Sequence, residues 1–298
     1  MNTDHTKLSV IDKRYPSYFA EKDSLLEKLY GTTLGRMLLQ PMCTRGFSAA
    51  VGKIMDSSVS RPLINTFIQK FVIPMDDYED VEYHSFNEFF TRNIKAGARP
   101  IDQNAEHLIS PCDSKVTAFK ITEDSLFKIK GVPYSIASLL RSEKIAERYK
   151  NGYIYIFRLS VDDYHRYCYP DNGRRTRYVR IQGVYHTVNP MVLDHVNIYR
   201  ENTREYAVLR TEHFGDLLMM QVGAMLVGRI QNNQAKTTFR RGEEAGRFEY
   251  GGSTVVLLTE DQRVIPNRII LERSLEGIET VVRMGECVGV SPAFFEQN

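Results

Sequence analysis

The sequence is poor in several features that would assign a chain to a class at once. Its four cysteines, Cys43, Cys112, Cys168 and Cys287, stand far apart with no CxxC pair. That argues against a disulfide framework and a cysteine zinc site, and for a reducing compartment. Neither sign of charge dominates: 39 Lys and Arg against 37 Asp and Glu leave a formal net charge of +2, so nucleic acid is not an expected partner. The longest mostly apolar stretch, 217–228, contains Gln221 and two glycines and is too short for a spanning helix. The opening Met-Asn-Thr-Asp-His lacks the basic-then-apolar order of a secretory signal. With 42% hydrophobic residues in 298, the chain is too apolar for disorder and long enough for one large domain or two small ones.

What is present divides the chain. Ser24 and Glu27 have capping-box spacing ahead of Leu25, Leu26, Leu29, Tyr30, Leu34 and Leu38 on one recurring face. Ser60 and Pro62 open a second helical pattern through Leu63, Ile64, Phe67, Ile68, Phe71 and Val72, which Pro74 closes. Residues 1–75 carry ten Lys/Arg against six Asp/Glu. They fit either a helical subdomain packed on the remainder or an apolar, mildly basic surface lying on anionic lipid. The run 76–82, five acids in seven residues, reads as a solvated linker and not as a metal site. Ser85 and Glu88 repeat the capping spacing before Phe89, Phe90 and Ile94.

From about residue 107 the texture changes to strands, expected over 116–121, 127–130, 153–159, 206–211, 217–230, 248–250 and 254–259, with one helix over 135–149. The pattern GExxG occurs at Gly242 and again at Gly285. Two copies are too few for a repeat architecture and read as similar tight turns. The expected fold is α+β, with an N-terminal helical segment, 1–82, followed by a mostly antiparallel, β-rich catalytic domain, 83–298.

Three segments carry candidate chemistry. Tyr250-Gly251-Gly252-Ser253 precedes the apolar run Thr254 to Leu258, which suits a hairpin turn entering a buried strand. The same residues suit a serine attacking its preceding carbonyl, because glycines tolerate the strained backbone this requires. The resulting ester could eliminate and hydrolyse to an N-terminal pyruvoyl group, given a base and oxyanion donors. In 157–170 a hydrophobic strand runs into a polar, aromatic turn that displays His165 between Asp163 and Arg166. Asp113 sits in a turn before a strand, where aspartate is at home for local reasons alone.

In order, these segments resemble the phosphatidylserine decarboxylase family. The matches are Ser85-Phe-Asn-Glu-Phe-Phe-Thr-Arg92 with Arg99-Pro-Ile-Asp102, Ser110-Pro-Cys-Asp113, Asp163-Tyr-His-Arg166, Thr187-Val-Asn-Pro190, Val222-Gly-Ala224 with Val227-Gly228, and Gly251-Gly-Ser-Thr254. The resemblance implies autocatalytic cleavage at Gly252-Ser253 into a β chain, 1–252, and an α chain, 253–298. Ser253 would become a covalent pyruvoyl cofactor. A Schiff base on it would carry the decarboxylation of phosphatidylserine to phosphatidylethanolamine. Asp113 and Ser253 match the family's processing residues and His165 its decarboxylation histidine, the last as proton donor or through the substrate carboxylate. No metal is implied. The implied partners are a phospholipid substrate and the cytoplasmic face of a membrane, met peripherally through the segment before residue 75; a homodimer is the alternative use of that apolar surface. Two departures stand out: Cys168 occupies the place of a second histidine used in processing, and Ser114 that of a common glycine. His165 would then serve both steps, or His186 or, second, His213 would act in cleavage. The competing functions are a pyruvoyl decarboxylase of another amino acid and an unprocessed phospholipid-binding homologue.

Overall fold

The computed structural model describes residues 50, 52–130, 132–183, 202–223, 229–249 and 253–296. The helical pattern expected around 24–38 lies outside the described residues. The second pattern forms helix α1, Leu63–Phe71, which ends with Val72 in the left-handed region. The next helix, α2, Phe86–Phe90, is capped by the Ser85 hydroxyl, which accepts the Glu88 N–H at 3.2 Å. The Glu88 carboxylate reaches the His84 N–H at 2.6 Å and not that of Ser85. Ile94, expected on the same helix, instead bridges Tyr78, because the chain leaves the helix at Thr91. Phe67 meets Phe86 and Phe89 edge-on, at 5.1 and 6.0 Å between ring centroids. Tyr78, Tyr83, Phe90 and Tyr164 complete this aromatic cluster. The acidic run is exposed at Asp76, Glu79, Asp80 and Glu82, but Asp77 is no linker residue: it pairs with Arg99 at 3.0 Å.

Among the described residues the strands begin with β1 (His107–Ile109), β2 (Ser114–Lys120) and a hairpin of β3 (Phe127–Ile129) and β4 (Val132–Tyr134). The single helix expected over 135–149 is two, α3 (Ile136–Leu140) and α4 (Glu143–Glu147). Arg141 turns left-handed between them and the Ser142 hydroxyl caps the second, a local side-chain bond that competes with helix continuation. There follow β5 (Tyr153–Leu159), β6 (Arg166–Cys168), β7 (Gly173–Arg175), β8 (Val179–Ile181), β9 (Arg204–Thr211) and β10 (Asp216–Val222). The strand expected over 217–230 therefore stops at Val222, and β11 (Ile230–Asn232) is separate. The chain continues with β12 (Thr238–Phe239), β13 (Glu244–Phe248), β14 (Ser253–Leu258) and β15 (Ile265–Pro266). Helix α5 (Arg268–Leu275), β16 (Thr280–Val282), β17 (Cys287–Val290) and α6 (Ala293–Glu296) complete it.

The central sheet has the order β12-β7-β9-β10-β14-β5-β2-β16, with β8 also on β9, and every pairing is antiparallel. The order is a palindrome, and the registers make it a two-fold repeat. Met219 faces Leu257 at the centre, and Leu218–Leu258 is answered by Met220–Val256. Further out, Arg210–Asp216 answers Arg158–Thr254, and Arg174–Arg210 answers Lys115–Arg158. Outside the sheet, β6 with β13 matches β1 with β17, and each pair carries a register shift at the corresponding place. The second unit, β6 to β13, is thus nested inside the first, between β5 and β14. The two GExxG segments are the similar tight turns expected; what the sequence reading missed is that they belong to two copies of one unit. Gly242 and Gly285 adopt φ of 76° and 91° against Ile101, the left-handed region that favours glycine. Glu243 and Glu286 each accept a backbone N–H, from Arg240 and Arg283, at 2.9 Å.

Both faces of the sheet are buried. Phe157, Leu209, Leu217 and Val255 join one apolar cluster, and Ile156, Val208, Leu218 and Val256 the other. An antiparallel sheet covered on both sides needs continuous apolar strands instead of alternating ones, which explains why all six residues of β14 are buried.

Candidate active site

The site is assembled where β5 ends. Past Leu159 the chain turns through residues 160–165, and Ser160 organises the turn. Its N–H donates to the Asp163 carboxyl at 2.6 Å and its carbonyl accepts from the Asp163 N–H at 3.1 Å. Its hydroxyl accepts from Lys115 Nζ at 3.0 Å and Arg158 Nη1 at 3.2 Å. His165 Nε2 lies 2.9 Å from the Ser160 carbonyl. A carbonyl only accepts, so Nε2 carries the proton and Nδ1 the lone pair. The ring is fully buried against Phe90, 4.0 Å between centroids. Burial, with the Arg92 charge nearby, pushes its pKa down to about 3. His165 is therefore neutral at physiological pH, and its buried Nδ1 has no hydrogen-bond partner among the described residues.

Ser253 opens β14 opposite Leu159 and is buried. The Phe248 N–H donates to the His165 carbonyl at 2.9 Å. The residues flanking 249–252 on both sides are thus tied to the same 159–165 turn. Gly252 itself lies outside the described residues. Asp113 precedes β2, the other neighbour of β5, so Asp113 and Ser253 flank the end of that strand. At two strand spacings their backbones are about 10 Å apart. The Asp113 carboxylate is gripped by Arg99, whose Nε and Nη2 donate at 2.9 and 2.6 Å, and it also accepts the Met284 N–H at 2.8 Å.

Several groups here carry no signal in the linear pattern. Lys130 lies close to Arg158, and burial together with that charge lowers its pKa to about 8. Gln221 is fully buried, and neither its Nε2 nor its Oε1 has a hydrogen-bond partner among the described residues. It faces Val255, on the same face as Ser253 and diagonal to it, within reach of a long side chain. Buried amides are almost always satisfied, so an orphaned one calls for an explanation. Only the Asp-x-His spacing at a strand end could have drawn attention to Asp163.

The residues weighed as processing bases are distributed differently. Cys168 is buried, and desolvation pushes its thiol up to about 12, so it is no base. His213 lies at the opposite end of β10, held by Asp171 at 2.9 Å. His186 lies outside the described residues. Ser114 is buried and faces Val282. One cluster among the described residues, Asp102, His107 and Cys287, brings three potential ligand atoms within 4.8 Å of one another. His107 Nδ1 already engages Asp102 at 2.7 Å, and the Arg241 guanidinium bonds both residues' carbonyls, so a positive charge is already supplied there.

Asp163 gives the site a measurable pH signature. The residue is half-buried, but its carboxyl turns inward, and burial with the Asp162 and Asp113 charges raises its pKa from 3.8 to about 8. The folded state holds this proton more tightly than the unfolded chain does. The stability it contributes is complete below pH 4 and is lost as pH rises through about 8, at no more than about 1.4 kcal/mol per pH unit. His165, shifted the opposite way, changes stability only below its ordinary 6.5. Asp163→Asn should therefore gain on the wild type in thermal stability as pH is raised from about 4 to 8; a difference independent of pH would refute the shift.

Comparison with known proteins supplies the reaction class. The chain is a decarboxylase. It belongs to the phosphatidylserine decarboxylase family, whose sequence model matches residues 86–290. It is 44% identical over 269 residues to phosphatidylserine decarboxylase proenzyme 2 of Clostridium acetobutylicum, spanning 90% of this chain and 92% of that one. It is 39% identical over 286 residues to the phosphatidylserine decarboxylase proenzyme of Clostridium tetani, spanning 93% and 96%.

Proposed function

We propose that this enzyme converts phosphatidylserine to phosphatidylethanolamine and CO2 with a pyruvoyl group that it makes from Ser253 by cutting its own Gly252–Ser253 bond. The observation that carries the reading is the buried Nδ1 of a neutral histidine, without a partner among the described residues, on the turn to which both flanks of the cleavage segment are tied. His165 Nδ1 takes the Ser253 hydroxyl proton as the oxygen attacks the Gly252 carbonyl. The C–N bond breaks, the nitrogen is protonated, and an ester remains. Loss of the Ser253 Cα proton and of the Gly252 carboxylate divides the chain, and hydrolysis of the dehydroalanine releases ammonia. Cys168 is a thiol and His213 lies at the other end of the sheet, so we assign this step to His165, with His186 the alternative that the His165→Gln variant tests. Gln221 Nε2 is the donor for the oxyanion. Gln221→Leu should slow cleavage by about 10²–10³-fold while leaving stability unchanged or improved, since it removes two unsatisfied polar atoms; cleavage at the wild-type rate would dismiss the role.

The finished group supplies an electron sink for the electrons left when CO2 departs. Lys130 is a candidate cation for a headgroup bearing phosphate and carboxylate, whereas Arg158 is held in a bidentate pair by Glu279 and Lys115 donates to the Ser160 hydroxyl. Asp163, whose carboxyl burial holds protonated, supplies the proton to the carbanion, and His165 acts in decarboxylation through the substrate carboxylate. The fixed charge of Asp113, across β5, helps keep Asp163 protonated.

A membrane substrate requires an interfacial enzyme, and we place this one peripherally at the cytoplasmic face. Support comes from Ile54, Val59, Leu63 and Val72, which are exposed on and around α1, the helix that packs through α2 toward His165. No helix among the described residues is long and apolar enough to cross a membrane. Cys112, Cys168 and Cys287 are free thiols. Flotation with phosphatidylserine vesicles tests the placement, and protein left wholly in the aqueous fraction would overturn it.

The deciding experiment is the intact mass under denaturing conditions. Two chains divided after Gly252, with 253–298 lighter by one ammonia than a serine start requires, are expected. A single 298-residue chain would overturn the reading in favour of an unprocessed phospholipid-binding protein.

A further inference from the structure

The two-fold repeat maps the catalytic end of the sheet onto a second location. Asp113 corresponds to Asn172, Ser253 to Gly215, Lys115 to Arg174 and Arg158 to Arg210, each assignment following from matched registers. The reacting groups are missing from the second copy, but its pair of cations is retained. Around that pair lies an open groove of about 1710 Å³. Six cationic side chains line it, Arg174, Arg175, Arg210, Lys236, Arg240 and Arg241, against the acids Glu212 and Glu243. That surplus of four exceeds the net charge of the whole chain, +2.

The acids do not neutralise it. Glu212 accepts from Asn172 Nδ2 at 3.1 Å, and Glu243 from the Arg240 backbone N–H at 2.9 Å. Arg241 is anchored to Asp102 and His107 carbonyls and faces Asp171 at 3.5 Å. Arg175 is anchored to the Thr176 and Asn233 carbonyls. Arg174, Arg210, Lys236 and Arg240 are exposed, and none has a carboxylate partner among the described residues. Concentrated like charge in a concave wall raises the local anion concentration, and guanidinium forks match phosphate oxygens in pairs.

We propose that this groove is a non-catalytic binding site for a phosphate ester, built on the second copy of the sheet end that carries Ser253: the serine and the acid are lost there, and Arg210, unlike its counterpart Arg158, which Glu279 holds, has no carboxylate partner among the described residues. The source is a soluble phosphate ester and not a lipid in the bilayer. Gly215 and the level of Ser253 are separated by eight residues of β10, about 25 Å at 3.3 Å per residue. The exposed apolar residues around α1 belong to the Ser253 end, so a membrane engaged there leaves the groove facing water.

Binding of inorganic phosphate and of glycerophosphoserine to the purified full-length protein, followed by calorimetry, tests the inference. The Arg174→Gln/Arg210→Gln protein should bind either anion at least tenfold more weakly. Arg210→Lys alone should retain most of the affinity, and self-cleavage should match the wild type in both. Both side chains are exposed and unpaired, so folding is not at stake. Affinity equal to wild type in the double variant, or no binding by the wild type, overturns the site. Flotation with phosphatidylcholine vesicles containing phosphatidylserine separates the sources: unchanged flotation supports the soluble ester, and a parallel loss overturns that source in favour of a lipid headgroup. The result is independent of the Ser253 chemistry, whose failure would appear as an uncleaved wild-type chain that still binds phosphate through Arg174 and Arg210.

Discussion

Ser253→Ala should leave the chain whole at 298 residues and without decarboxylase activity. The substitution removes one oxygen and leaves the backbone of the strand unchanged. Ser253 is held by its backbone, which pairs with Leu159, and alanine suits a buried strand start. Its cost in stability should stay within about 1 kcal/mol, as for a small change that opens little cavity. The chemical cost is total, because no other side chain can supply an oxygen to the Gly252 carbonyl in the same geometry. Intact mass and CO2 release from phosphatidylserine vesicles measure the two losses together. A variant cleaved at the same bond would show that Ser253 is not the source of the new terminus.

His165→Ala should remove decarboxylation and, with it, self-cleavage. Loss of a positioned general base costs about 10²–10⁴-fold, enough to leave most of the chain uncleaved where the wild type is processed. The ring also packs on Phe90 and donates to Ser160, so alanine alone mixes chemistry with packing. His165→Gln separates them: an amide nitrogen can still donate to the Ser160 carbonyl, but no basic lone pair remains. Both variants should fail alike. Cleavage persisting in His165→Gln would mean that another base, such as His186, drives that step, and His165 would be confined to the decarboxylation.

Local signals carried some of these elements in the sequence, and their limits are equally physical. The Ser85 cap and the span of β5 were readable because a cap is a bond between near neighbours and a strand is a run of apolar residues. The helix over 135–149 broke at Arg141 because Ser142 offered a second cap, a competition that apolar spacing cannot show. The two-fold repeat escaped because its second copy is nested within the first and few residues kept their identity, Gly242-Glu243 against Gly285-Glu286 and Arg210 against Arg158 among them. Core positions such as Leu209 and Phe157 exchanged one apolar residue for another.

The sequence by itself determined the α+β texture, the family, and three candidate residues, Asp113, His165 and Ser253, each marked by a turn or strand boundary. Tertiary structure alone decided what those residues can do. Burial against Phe90 made His165 a neutral base, and the grip of Arg99 occupied Asp113. Strands far apart in the sequence, from Lys115 to Ser253, brought Lys115, Arg158, Asp163 and Gln221 to one end of the sheet. Charge and desolvation act through space, and a linear pattern records neither.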